Sequence, residues 1–202
     1  MSCETALPAR TNPFRAERIE ALHFRLDDDG WRALMARFAA NRWRGLLLGP
    51  HGSGKTTLCE ALGRRLGADG WSFRTLVIGE HGVTWADLRG CLADAGPRNV
   101  ICLDGLDRIG WWLWWRWYHM ARHVGGILAT SHVAGRLPVL HHHRTSAELL
   151  IELVRDLIGE EAARALSPRC HELFREHHGD VRACLRRLYD DAASGSLPVT
   201  LA

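Results

Sequence analysis

Residues 49–56, Gly-Pro-His-Gly-Ser-Gly-Lys-Thr, lie between a short apolar run (45–48) and a stretch that sets Leu58, Leu62 and Leu66 on one helical face. The spacing predicts strand, turn and helix in that order. That is the context in which the pattern G-x-x-x-x-G-K-[ST] carries physical meaning. Without Cβ atoms at the glycines the backbone can curl until successive N–H groups point inward, and a helix beginning near Lys55 adds its positive N-terminal end. The product is a cradle for phosphate oxygens. Gly49, Pro50, His51, Gly52, Ser53, Gly54, Lys55, Thr56 and Thr57 are the candidate contacts, with Lys55 reaching the β- and γ-phosphates and the Thr56 hydroxyl a ligand for Mg²⁺.

The composition sharpens the role of Lys55. Lysine and arginine together number 26, and Lys55 is the only lysine. A chain that uses arginine for its general positive charge keeps a compact ammonium only where a planar fork will not serve. The net charge of +3 is too mild to indicate a nucleic-acid partner on its own. A length of 202 residues, 47% of them hydrophobic, suits one well-cored module. Neither a signal peptide nor a run of ~20 apolar residues is visible, so a cytoplasmic setting is expected. The six cysteines (Cys3, Cys59, Cys91, Cys102, Cys170, Cys184) form no C-x-x-C pair and read as reduced thiols, mostly buried.

A phosphate cradle that uses a metal needs a carboxylate from a second strand. Residues 98–110, RNVICLDGLDRIG, have an apolar run ending in Asp104, as a buried parallel strand would with an acid at its C-terminal tip. In an open α/β sheet that tip faces the ligand crevice, so Asp104 is the candidate metal-site aspartate, bound directly or through water. The next residue is Gly105, and Asp107 is the nearest further acid. Two roles are open to Asp107: orienting the attacking water, or capping the helix that follows.

These motifs resemble a known family. Residues 49–56 are similar to a Walker A motif and VICLDGLD to a Walker B motif of P-loop NTPases, and the later segments resemble AAA+ and related STAND ATPases. The resemblance implies a three-layer α/β P-loop core with a parallel sheet of about five strands, followed by a small C-terminal helical lid. It implies ATP and Mg²⁺ as ligands, with Thr130 at the end of GGILATSH as the first sensor of the γ-phosphate. Within ELFREHHGDVRACLRRLYDDA it implies Arg182 as the second sensor; a surface arginine beside an Asp180 cap is the alternative. The DGLD form of Walker B looks more like the STAND pattern. Arg136 alone stands where a finger arginine would be sought, and in so short a connection an ordinary loop arginine is the favoured reading.

The chain divides accordingly into a tail and lead-in (1–27), the core (28–144), the helical lid (145–193) and a loose C-terminus (194–202). Within the core, helices are expected at 31–41 and at 85–95 behind a Thr84 cap, with strands at 72–78 and 139–142. Alternating strands and helices argue for a parallel sheet covered on both faces. In the lid, Thr145 and Glu148 fit a capping box, and Ser167-Pro168 a cap and first-turn proline of a third segment. His141-His142-His143 alternate along a strand, while His119 and His123 share a helix face without a third ligand; structural or solvated roles suit both groups.

Residues 110–120, GWWLWWRWYHM, hold five of the nine tryptophans. At 100° per residue Leu113, Trp117, Met120 and Val124 form the inward stripe, with Trp114 and Ala121 beside it. Trp111, Trp115 and Tyr118 widen the apolar arc to roughly 220°, against the ~100° of an ordinary surface helix. The run is too short to span a bilayer. Its excess, chiefly Trp111, Trp112 and Trp115, is expected to be partly exposed and to meet a protein partner or a second copy through helix 111–118; base stacking is the weaker option. The functional reading is an ATP-binding P-loop NTPase, an ATPase or ATP-dependent switch hydrolysing the β–γ phosphoanhydride. The alternatives are a P-loop small-molecule kinase and a nucleotide-binding regulatory module with little hydrolysis.

Overall fold

The computed structural model describes residues 7–22 and 24–197. In chain order its elements are α1 (Ala16–Glu20), α2 (Asp28–Ala40), β1 (Arg44–Leu48), α3 (Lys55–Ala68), β2 (Ser72–Val77), α4 (Trp85–Gly90), β3 (Asn99–Asp104), α5 (Trp111–Met120), β4 (Gly126–Ser131), β5 (Val139–His142), α6 (Ala147–Ile158), α7 (Glu160–Glu176) and α8 (Val181–Ser194). Among these residues two compact units form, one of 24–49 with 54–143, the other of 7–22, 50–53 and 144–197.

In the first unit the strands make one parallel sheet in the order β2-β3-β4-β1-β5. Side chains alternate across it. Leu46, Ile101, Leu103, Ile127 and Ala129 point to the face covered by α4 and α5, where Leu88, Trp114 and Trp117 meet them. Leu47, Val100, Cys102, Leu128 and Leu140 point to the opposite face, against Trp31, Leu34 and Phe38 of α2 and Leu58, Cys59, Leu62 and Leu66 of α3. Every β4 residue is buried, as both-face coverage of a central parallel strand requires. This is the expected three-layer α/β core. Trp117 is its largest fully buried side chain, and its indole N–H donates to the Leu88 carbonyl at 2.8 Å, so burial leaves no polar atom unsatisfied.

The second unit has its own core. α6, α7 and α8 bury Leu150, Val154, Leu166, Leu173, Cys184 and Leu188 with Phe14 among them. Asn12 anchors that N-terminal stretch: its side-chain amide donates to the Tyr189 carbonyl at 2.9 Å, and its Oδ1 accepts from the Phe14 N–H at 3.0 Å. Residues expected as an N-terminal tail are thus built into the helical unit, where Leu7, Ile19 and Leu22 pack beside the buried Phe14 and add their apolar burial to its own.

Several local expectations need correction. The helix predicted over 85–95 ends at Gly90, and Asp94 sits in left-handed backbone at φ 56°. Its start is right, with Thr84 and Asp87 forming a reciprocal capping box. The lid's first helix is capped by Ser146, which accepts from the Leu149 N–H at 3.1 Å, so the box read at Thr145 lies one residue early. Ser167-Pro168 opens nothing: Pro168 lies inside α7, and the break between helices falls at Gly159, whose φ of 86° suits glycine. Helix α8 continues to Ser194, and Leu197 packs against the lid core; 198–202 lie outside the described residues, as does Cys3. No helix among the described residues is long and apolar enough to cross a membrane.

Candidate active site

The glycine-rich loop leaves β1 at the C-terminal edge of the sheet. Gly49 is held against the end of β4 by its N–H, which donates to the Ser131 carbonyl at 3.2 Å, and by the His132 ring, whose Nδ1 lies 2.9 Å from the Gly49 carbonyl. Lys55, largely buried at the first position of α3, donates to that same carbonyl at 2.8 Å. Gly52 and Gly54 have φ of 63° and 81°, left-handed backbone that other residues adopt only with strain. At Gly52 the restriction is also one of space. A Cβ there would fall 1.9 Å from Asp180 Oδ1 and 2.9 Å from the Arg182 backbone nitrogen. Ser53 steadies the turn through a 2.8 Å bond from its hydroxyl to the Pro50 carbonyl.

Asp104 joins three parts of the core. The Thr56 hydroxyl donates to its Oδ2 at 3.0 Å, and the Thr130 hydroxyl donates to its Oδ1. Thr130 in turn accepts from the Gly105 N–H at 2.9 Å. Strand pairing explains the meeting, since β3 and β4 run in register with Asp104 directly beside Thr130. Lys55, Thr56, Asp104 and Thr130 are therefore gathered at one edge of one unit.

Asp107 does not cap α5. That helix begins after Gly110 with no side-chain cap, and Asp107 lies in a one-turn 3₁₀ segment, 106–108. Its Oδ1 is buried without a hydrogen-bond partner. Arg136 lies within its electrostatic reach. Burial lowers the Arg136 guanidinium's affinity for its proton, and the Asp107 carboxylate partly restores it. Arg136 also donates to the Leu106 carbonyl at 2.8 Å and lies over the Trp111 ring, so it has work within its own chain. In the helical unit Asp180 caps α8 by accepting from the Ala183 N–H at 2.9 Å, and Arg182 is an exposed residue of the first turn.

Two features escaped sequence reading. His132 follows β4 and touches the first glycine of the loop, a contact visible only once β4 and β1 are known to pair. Cys59 and Cys102 meet close in sequence to Thr56 and Asp104 with their sulfurs 3.0 Å apart, one from α3 and one from β3. The bond to Cys102, and then burial, push the Cys59 thiol well above its usual value. Both are reduced and buried. His119 contacts Arg122, and the His123 ring lies 2.9 Å from the Met120 carbonyl. Among the described residues no group of three or more His, Cys, Asp or Glu is gathered as a metal site.

Residues 45–111 match the model of the ATPase family associated with various cellular activities (AAA). A point mutant of Thermotoga maritima RuvB superposes with a TM-score of 0.55 at 17% identity, over 78% of this chain and 58% of that one. The structure described as the Thermotoga maritima RuvB Holliday junction branch migration motor gives 0.51 at 17% identity, over 78% and 57%. NtrX from Brucella abortus in complex with ATP gives 0.48 at 14% identity, over 88% and 51%. This chain spans less than three fifths of the RuvB chains it resembles. No curated protein matches it in sequence. The parallel five-stranded core shares its fold with the RuvB chains, and residues 45–111, with the glycine-rich loop among them, resemble the AAA family.

Proposed function

We propose that this chain binds Mg-ATP and hydrolyses its β–γ phosphoanhydride, as an ATPase or ATP-dependent switch of the AAA+/STAND type. The carrying observation is Asp104 held between the Thr56 and Thr130 hydroxyls. A hydroxyl and a carboxylate at this spacing suit Mg²⁺, which keeps several waters and takes few protein ligands. The left-handed glycines and the Lys55 ammonium beside them fit a triphosphate in the same way. When bound, Mg²⁺ would draw charge from the phosphoryl oxygens.

The chain's own groups have distinct tasks. Lys55 exchanges the Gly49 carbonyl for phosphate oxygen, and His132 keeps that carbonyl satisfied when the lysine leaves. Thr56 and Asp104 hold the metal, while Thr130 fixes the carboxylate's rotamer and senses the γ-phosphate. Asp107, with a buried carboxylate oxygen that no donor engages, is assigned to orient the attacking water. Arg182 is assigned to the second sensor.

One observation favours slow turnover and thus a switch. Gly105, immediately after Asp104, has φ 102°, and a Cβ there would lie 3.1 Å from the Ile78 carbonyl, so no glutamate fits this position without strain. Phosphate release from Mg-ATP by the wild type, Lys55→Ala and Asp107→Asn tests the proposal. Measurable release that Lys55→Ala abolishes and Asp107→Asn slows by about 10²-fold supports it. Transfer to an added metabolite in place of water would identify a kinase; no turnover despite ATP binding would leave only the nucleotide-binding module.

A further inference from the structure

We propose that the outer face of α5 is a stacking surface for single-stranded nucleic acid. Trp111, Trp112 and Trp115 are 63%, 74% and 47% exposed, an unusual expenditure of large apolar surface. Their arrangement is ordered. The rings of Trp112 and Trp115 lie nearly parallel, 12° apart with centroids at 5.3 Å, and the His119 ring meets Trp115 edge-on at 4.4 Å. Of the two stacked rings Trp112 has more of its surface open to solvent.

Charge selects the occupant. No Asp or Glu occurs between Asp107 and Glu148 in the sequence. Exposed arginines on and just after α5 are Arg116, whose guanidinium lies over the Trp85 ring, and Arg122, which bonds His119. On the neighbouring α4 the single carboxylate, Asp87, is engaged by the Thr84 N–H and hydroxyl. A second copy docked by its own α5 would set arginine against arginine, a like-charge juxtaposition that works against self-association. An anionic partner meets the opposite situation. Flat rings stacked in parallel, arginines on and just after the same helix and no carboxylate within it match alternating bases and phosphates, since every base offers a π-face and every phosphate a charge. A membrane surface is matched less well, because α5 is only ten residues long and Met120 is its one exposed aliphatic side chain.

The inference rests on α5 alone, so the nucleotide site can fail independently. Its test is titration of a fluorescent oligothymidylate of ~20 nucleotides with the full chain at ~50 mM salt. We expect binding accompanied by tryptophan quenching. The double variant Trp112→Ala/Trp115→Ala should weaken it by at least roughly tenfold, and Trp112→Phe/Trp115→Phe much less. Arg116→Gln/Arg122→Gln should weaken it and flatten its dependence on salt. Lys55→Ala should leave it unchanged, which separates this surface from the phosphate cradle. The proposal is overturned if no binding is seen up to ~100 µM chain, or if the tryptophan-to-alanine variant, still folded by circular dichroism, binds as the wild type does. It is equally overturned if duplex DNA, polyglutamate or phosphatidylserine vesicles are bound more tightly than the oligonucleotide.

Discussion

Asp104 and Trp112 lie on the same connection, the end of β3 and the start of α5, yet they represent opposite uses of side chains. At Asp104 each carboxylate oxygen already has a donor from another element, and the neighbouring backbone N–H is bonded as well. At Trp112 the ring is mostly in solvent and stacks on its own helix neighbour Trp115. The first arrangement has the fixed geometry that the proposed chemistry would need, where a small displacement is costly. The second is suited to recognition, where exposed flat surface is the requirement. One short segment therefore joins a rigid site to an open one, with Asp107 in the turn between them.

The largest expected effect lies on the chemical side. Asp104→Ala should cut Mg-ATP turnover by about 10²–10³-fold, the scale for removing a group that holds transition-state charge in place. Retained turnover in that variant would show that the metal is held elsewhere. Within α5 the comparison can be made with one residue type. Trp117→Ala should destabilise the fold by about 3–5 kcal/mol in chemical denaturation, because it empties a fully buried site. Trp112→Ala should stay within about 0.5 kcal/mol of wild type; equal losses at the two positions would mean that the exposed ring is structural after all.

Thr130→Val sharpens the first half of the comparison. It removes a donor from Asp104 and an acceptor from the Gly105 N–H with little change of shape. About a tenfold loss of turnover is expected from roughly 1.5 kcal/mol, with nucleotide affinity changed less. The smallest effect concerns acid. Burial, first, and then the Arg37 and His142 charges hold the His141 imidazole below its ordinary 6.5. Above 6.5 the imidazole is neutral in both folded and unfolded chains and contributes no pH dependence. As pH falls below 6.5 the unfolded chain binds a proton that the folded chain resists, so stability is lost down through the folded value. Denaturation midpoints at pH 7 and at pH 5.5 should differ for the wild type by more than for His141→Gln.

What the sequence disclosed follows the range of the interactions involved. The phosphate loop was legible because its constraint is local, with Gly52 and Gly54 needing left-handed backbone and Lys55 opening a helix. The alternation of apolar strands with helices made the sheet and its two covered faces legible too. The Trp114 and Trp117 side of α5 followed from periodicity, although Met120 is more exposed than that stripe predicted, since the helix ends there. Contacts distant in sequence were not legible. Asn12 meets Tyr189 across 177 positions, and no local pattern marks Phe14 as part of a helical core. At Asp107 the sequence left two roles open for a further reason: an acid before an apolar run looks like a cap, and only the intervening 3₁₀ turn sets the cap aside.

Calorimetric titration of ATP, with and without Mg²⁺, into the wild type, Lys55→Ala and Asp104→Asn tests the central claim most directly. The account predicts saturable binding by the wild type that strengthens with Mg²⁺, loss of that binding in Lys55→Ala, and loss of the Mg²⁺ dependence in Asp104→Asn. Binding that ignores both Mg²⁺ and Lys55, or no binding of ATP by the folded wild type, would contradict it.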